Sequence, residues 1–243
     1  MTQPRRIQYR YLSYIQALFI CILLVINLVG AAKVSQITII NPFSGNNFAS
    51  FPIGTGIIFF PISYLIGNVL TEVYGYSPSR KVIWSGFGAL IFATIMVQII
   101  VKMPPANNWS HQEAYEEVFN ISWRIACASI IAFATGEFIN SFVLSKMKMF
   151  TQGSFLWSRT IGSTICGEAM DTLIFYPLAF LGNPDFPLIL LGQIMLANYI
   201  GKVTWEVFAT PLTYAIVDWL KKAEKEDFYD YETNYNPFVL ENV

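Results

Sequence analysis

The sequence predicts an all-α membrane protein of six transmembrane helices, with a short outer hairpin or re-entrant segment between helices 1 and 2. Three observations carry that reading. The 243 residues are 54% hydrophobic and only 13% charged, with a mean hydropathy of +0.47, whereas soluble domains have about a quarter of their residues charged. Six apolar stretches lie near 12–32, 51–75, 80–102, 122–146, 158–182 and 187–219, each meeting the roughly 20 residues that a bilayer core about 30 Å thick requires. Lysine and arginine alternate between the connecting segments, as cytoplasmic retention of positive charge demands.

The first stretch follows Arg5, Arg6 and Arg10 and ends at Gly30-Ala31-Ala32. Its apolar run is too long for a signal-peptide core, so it reads as an uncleaved helix. Between the first two stretches, "ITIINPFSGNNFASFP" places β-branched residues before a turn-rich run, which predicts the hairpin or re-entrant cap. Pro52 and Pro61 then fall in the second stretch, where Pro61 should kink the helix. Arg80 and Lys81 follow it; Lys146, Lys148 and Arg159 join the fourth and fifth; Lys221, Lys222 and Lys225 close the last. The opposite side holds only Lys33 and Lys102, beside Glu113, Glu116 and Glu117. This bias puts both termini in the cytoplasm. The last stretch is so long that it must tilt, bend near Pro211 or run past the inner surface. Residues 1–220 thus form a single transmembrane domain, and 221–243 a polar, acidic cytoplasmic tail expected to be mobile.

Several chemistries are excluded or disfavoured. Cys21, Cys127 and Cys166 sit inside apolar runs without metal-like spacing, and the one histidine, His111, lies in the most polar loop. No catalytic residue, metal or cofactor is expected, and no Walker-type phosphate loop is present. A faint internal echo joins "GNVLTEVYG", "GEFINSFVL" and "GEAMDTLIF", each a glycine followed by spaced polar residues. Such echoes accompany the structural repeats of transporters.

The charges inside the apolar stretches carry the functional reading. Thr160, Thr164, Glu168 and Asp171 are spaced four, four and three apart and share one helix face, with the small residues Gly162, Ser163, Cys166 and Gly167 around them. In the last stretch Asn198, Lys202 and Glu206 recur every fourth residue, with Trp205 alongside. Lys202 is the natural partner of Asp171, with Glu206 balancing the lysine. Asn68, Thr71 and Glu72 share a face in the second stretch, and Glu137, Asn140 and Ser141 do so in the fourth, whose outer end carries Arg124. A charge at a helix centre costs about 2.5–3.5 kcal/mol on insertion scales, so these groups must face one another, water or a ligand. A single Asp–Lys pair would serve to lock two helices. Four ionisable groups with aligned Thr, Asn and Trp exceed that need and predict a polar central cavity. Glu72 reads equally as an interfacial residue, Arg124 as a snorkelling one, and Glu137 with Asn140 as helix–helix hydrogen bonding.

The segments "FPISYLIGNVLTEVYGYSPSRKVIW", "WRIACASIIAF", "STICGEAMDTLIFYPLAF" and "GKVTWEVFATPLTY", in that order over about residues 50 to 215, resemble the queuosine precursor transporter family, also labelled vitamin uptake transporters. The resemblance implies a six-helix inner-membrane importer of 7-deazaguanine bases carrying a cyano or aminomethyl group. It matches Glu72 to the acid of the family's TEVYG signature, Arg124 to its arginine, Asp171 to its DT aspartate and Lys202 to its last-helix lysine. Asn68 and Asn140 stand where the family has aspartates, and Glu168 where it often has an amide.

A deazaguanine offers adjacent N–H donors to a carboxylate, and its carbonyl needs a donor. The expected substrate-binding set is therefore Asp171, Glu168, Lys202, Glu206, Asn198, Trp205, Glu72, Asn68, Arg124 and Phe175, with Tyr176, Tyr64 and Phe60 as further stacking surfaces. The expected partners are that small-molecule substrate and membrane lipid, with no nucleic acid; a homo-oligomer is an open alternative. Two other readings compete: the substrate-capture subunit of an ATP-driven vitamin uptake complex, and an intramembrane enzyme using Glu168 and Asp171 as acid and base. A helix-packing protein without a ligand is a further one.

Overall fold

A computed structural model of the chain describes residues 9–29, 34–40, 47–54, 59–119, 122–184 and 186–239. Arg5, Arg6, Lys33 and the turn at 41–46 lie outside the described residues. Among those described, the order is α1 (Leu12–Leu28), β1 (Val34–Ile40), β2 (Asn47–Gly54), α2 (Phe60–Tyr74), α3 (Tyr76–Val101), α4 (Gln112–Phe119), α5 (Trp123–Phe150), α6 (Leu156–Phe180) and α7 (Leu188–Glu224). Helix dominates, and α3, the α4–α5 region Gln112–Phe150 and α7 are each long and apolar enough to cross a membrane. The shorter α1 is also apolar.

Residues 51–54 belong to β2, which runs antiparallel to β1 with Gln36 opposite Pro52. The second helix therefore starts at Phe60, later than the periodicity suggests. Pro61 stands in its first turn, where a missing N–H costs nothing, so it starts α2 and does not kink it. Gly75 ends α2 in a left-handed conformation (φ 85°) that glycine tolerates, and α3 begins at the next residue.

Helix α2 is the hub of the bundle. It contacts α1, α3, α5 and α7, and every residue from Ser63 to Tyr74 is buried. Such burial on all sides explains why so short a helix still carries Asn68, Thr71 and Glu72, whose polar groups are answered by other helices, while Ser63 donates to Phe60 O of its own helix. The tightest contact joins α5 to α6. A Cβ on Gly167 would lie 2.8 Å from the Gly136 carbonyl oxygen and 2.9 Å from Asn140 Cβ, so only hydrogen permits this approach. Two glycines of the sequence echo, Gly136 and Gly167, thus meet in space. A Cβ on Gly67, in turn, would come within 2.7 Å of a Glu137 carboxylate oxygen.

The tail differs from expectation. It is packed across the ends of α2, α3 and α5. Phe228 N donates to Val73 O, Arg80 donates to Asn234 O and Asn236 O, and Trp84 Nε1 donates to Pro237 O. Asp230, only 3% exposed, accepts the Tyr76 amide at the start of α3 and the Ser145 hydroxyl. A carboxylate at a helix N-terminus satisfies orphan amides and opposes the helix dipole. The acidic composition that suggested a free tail is what binds it to the cationic helix ends.

Candidate functional site

Two polar clusters lie inside the bundle. The first gathers residues from four helices. Lys202 on α7 donates at 2.8 Å to Glu168 Oε2 and at 2.8 Å to Asp171 Oδ2 on α6, and its ammonium lies 4.5 Å from the centre of the Phe60 ring. The expected Lys202–Asp171 pair therefore forms, with Glu168 as a second acceptor. Their three-residue spacing puts both carboxylates on one face.

Beside this triad sits an amide hub. Asn68 Nδ2 donates to Glu206 Oε1 at 3.0 Å and, more weakly, to Thr164 at 3.5 Å; Asn68 Oδ1 accepts from Asn140 Nδ2 at 2.9 Å and from Ser163 at 3.5 Å. Glu206 consequently answers Asn68, where the sequence reading had it balancing the lysine. Four residues apart on one helix, Lys202 and Glu206 reach different neighbours, because α6 faces the first and α2 the second.

Several buried polar atoms of this region have no hydrogen-bonding partner: the Tyr64 hydroxyl, both Glu137 carboxylate oxygens, Asn140 Oδ1, Thr172 Oγ1 and Glu206 Oε2. Native interiors satisfy nearly all such groups, so a cluster of unanswered acceptors marks a place where another donor is required. Glu137 and Asn140, read from sequence as helix–helix bonding, belong to this centre. The signal that finds them is the glycine preceding Glu137, which lets α6 approach closely enough to bury them.

Other candidates go elsewhere. Asn198 turns its amide back to Ile194 O on its own helix. Trp205 lies on the outer side of α7, 38% exposed. Arg124 stays at the far end of α5 and donates to Leu178 O and Leu181 O, capping the carbonyls that end α6. Phe175, one turn beyond Asp171, packs edge-on against Tyr176 and Phe180. None of the four makes a hydrogen bond to the Lys202 triad.

Glu72 anchors the second cluster, at the other end of α2. Arg159 grips it with two nitrogens at 2.7 and 2.8 Å, Lys221 donates at 2.6 Å, and Lys148 lies 3.6 Å away. Lys148 also donates to Glu72 O, Phe228 O and Asp227. This cage, buried at Glu72, Arg159 and Lys148 and open to solvent at Asp227, ties α2, α5, α6, α7 and the tail together. Bidentate arginine and the full burial of the Glu72 carboxylate suit a structural lock better than a ligand contact. Burial pushes the Asp227 carboxyl up, but hydrogen bonds from Lys148 and Lys221 and their charges outweigh it and hold the group below its ordinary value.

Among the described residues no group of three or more side chains could hold a metal ion. The bundle is that of a multi-pass membrane protein with a buried polar centre. The chain belongs to the family described as "Putative vitamin uptake transporter", whose model matches residues 54–216. It is 30% identical over 161 residues to a Bacillus subtilis (strain 168) protein named probable queuosine precursor transporter, covering 66% of this chain and 69% of that one. It is 27% identical over 169 residues to the queuosine precursor transporter of Escherichia coli (strain K12), covering 69% and 74%. No solved structure matches the chain.

Proposed function

We propose that the chain imports 7-deazaguanine precursors of queuosine, cyano- or aminomethyl-substituted, across the bacterial inner membrane. Six helices cross the bilayer with both termini in the cytoplasm, and the base moves by alternating access around the cluster at Lys202. The names of the two relatives support the substrate class. The observation that carries the reading is Lys202 held between Glu168 and Asp171 beside the Phe60 ring.

That set matches the base chemically. The adjacent ring N–H and exocyclic amine of a deazaguanine are donors for a carboxylate, and its carbonyl accepts from an ammonium or amide. Asp171 and the Lys202 side chain, 6% and 10% exposed, are the most open members of the charged triad. The base displaces Lys202 from Asp171, gives its two donors to that carboxylate and takes the ammonium on its carbonyl. Glu168 keeps the lysine oriented, and Asn68 and Glu206 form the next wall. Phe60 offers a stacking face, worth roughly 1–3 kcal/mol per base in nucleic-acid binders.

Uptake of labelled deazaguanine by cells unable to make it tests the proposal. Asp171→Ala abolishes uptake while the protein remains inserted in the membrane. Uptake equal to that of the native chain would remove Asp171 from the site.

A further inference from the structure

Four carboxylates share the polar centre with one lysine. Glu168 and Asp171 divide Lys202 between them, and Glu206 takes one N–H from Asn68. Glu137 takes none: it is 0% exposed and both its oxygens lack a partner. The groups that face it are Tyr64 and the Gly67 backbone from α2, Glu168 and Asp171 from α6, and Glu206 from α7, with Asn140 beside it on α5. No cation among these answers it, and three of them are carboxylates. An ionised carboxylate in such a place would be both unsolvated and repelled.

We propose that Glu137 is the proton-binding site that couples import to the proton gradient, a role that rests on the transport reading above. Buried and with both oxygens unpaired, Glu137 is the neutral carboxylic acid before it releases its proton. It takes its proton from the outer side and releases it to the cytoplasm, so one O–H bond forms and one breaks per cycle. Tyr64, 1% exposed and also without a partner for its hydroxyl, is the donor at hand for the ionised form. Its hydroxyl lies 2.7 Å from where a Cβ on Gly136, the residue before Glu137, would stand.

Two measurements test this. Infrared spectra of the purified, ligand-free protein at neutral pH show the carbonyl stretch of a buried carboxylic acid, and Glu137→Gln removes it; a wild-type spectrum without that band overturns the inference on its own. In proteoliposomes, an outside-acid gradient of one pH unit drives about tenfold accumulation of labelled deazaguanine if one proton accompanies each base. Glu137→Gln reduces that ratio to about one, yet still exchanges labelled for unlabelled base at zero gradient. Accumulation by Glu137→Gln equal to that of the wild type overturns the coupling role, as does loss of exchange, which would make Glu137 a substrate ligand instead. If the wild-type chain exchanges no deazaguanine at all, the transport reading fails and the coupling role fails with it, whatever the infrared band shows.

Discussion

Asn68 on α2 donates its amide N–H to Glu206 on α7 at 3.0 Å while its oxygen receives Asn140 on α5 at 2.9 Å. An amide does both whatever the protonation of its neighbours, which an ionised carboxylate cannot. An ionised aspartate at this position has no N–H for Glu206 and would set two buried carboxyl oxygens against each other, so an acid here and this amide demand different protonation of Glu206.

Asn68→Asp therefore destabilises the protein by about 1–3 kcal/mol, the cost of an unsatisfied buried polar group. Adding Glu206→Gln reverses the direction of the hydrogen bond, with Gln donating to Asp, and recovers most of the loss. Thermal unfolding in detergent of both variants checks this; a double variant no more stable than Asn68→Asp would refute it.

The contact between α5 and α6 gives a second expectation. Gly167→Ala forces a Cβ to within 2.8 Å of a backbone carbonyl that cannot yield, and costs about 1–3 kcal/mol as overpacking. Gly192 and Gly201 on α7 have nothing within 4 Å of the same position. Alanine there is neutral or mildly stabilising. Equal effects at Gly167 and Gly192 would show that the helices do not pack in this way.

Glu72 is predicted to act on stability and not on affinity. Glu72→Ala leaves Arg159, its side chain 2% exposed, without its carboxylate, while Lys148 keeps Asp227, a loss of about 3–5 kcal/mol for a broken buried pair. The folded fraction should bind deazaguanine with unchanged Kd in equilibrium dialysis. A large change in Kd at full folding would bring Glu72 back to the substrate.

The tail contact has a defined pH sense. Asp227 titrates below its ordinary 3.8 when docked, so its contribution is complete above that value and is lost as pH falls through the lower, docked value. Hydrogen exchange of residues 226–239, corrected for intrinsic rates, should stay constant between roughly pH 5 and 8 and rise only in stronger acid. Asp227→Asn should raise exchange at neutral pH to a level that acid changes little.

The sequence alone determined the membrane class, because apolar run length is a local property read directly against bilayer thickness. It also determined that Glu168, Asp171 and Lys202 belong together, since period-four spacing puts side chains on one face and hydrocarbon forbids leaving them alone. Only the tertiary structure decided which face meets which. Glu206 answers Asn68, Trp205 turns outward, Glu72 goes to a cage, and the tail binds where it was expected to be free. A helix's own spacing fixes the angle between its side chains, but the partner across the interface depends on how closely two backbones approach. That distance is set by Gly136 and Gly167 from different segments, whose encounter no local pattern encodes.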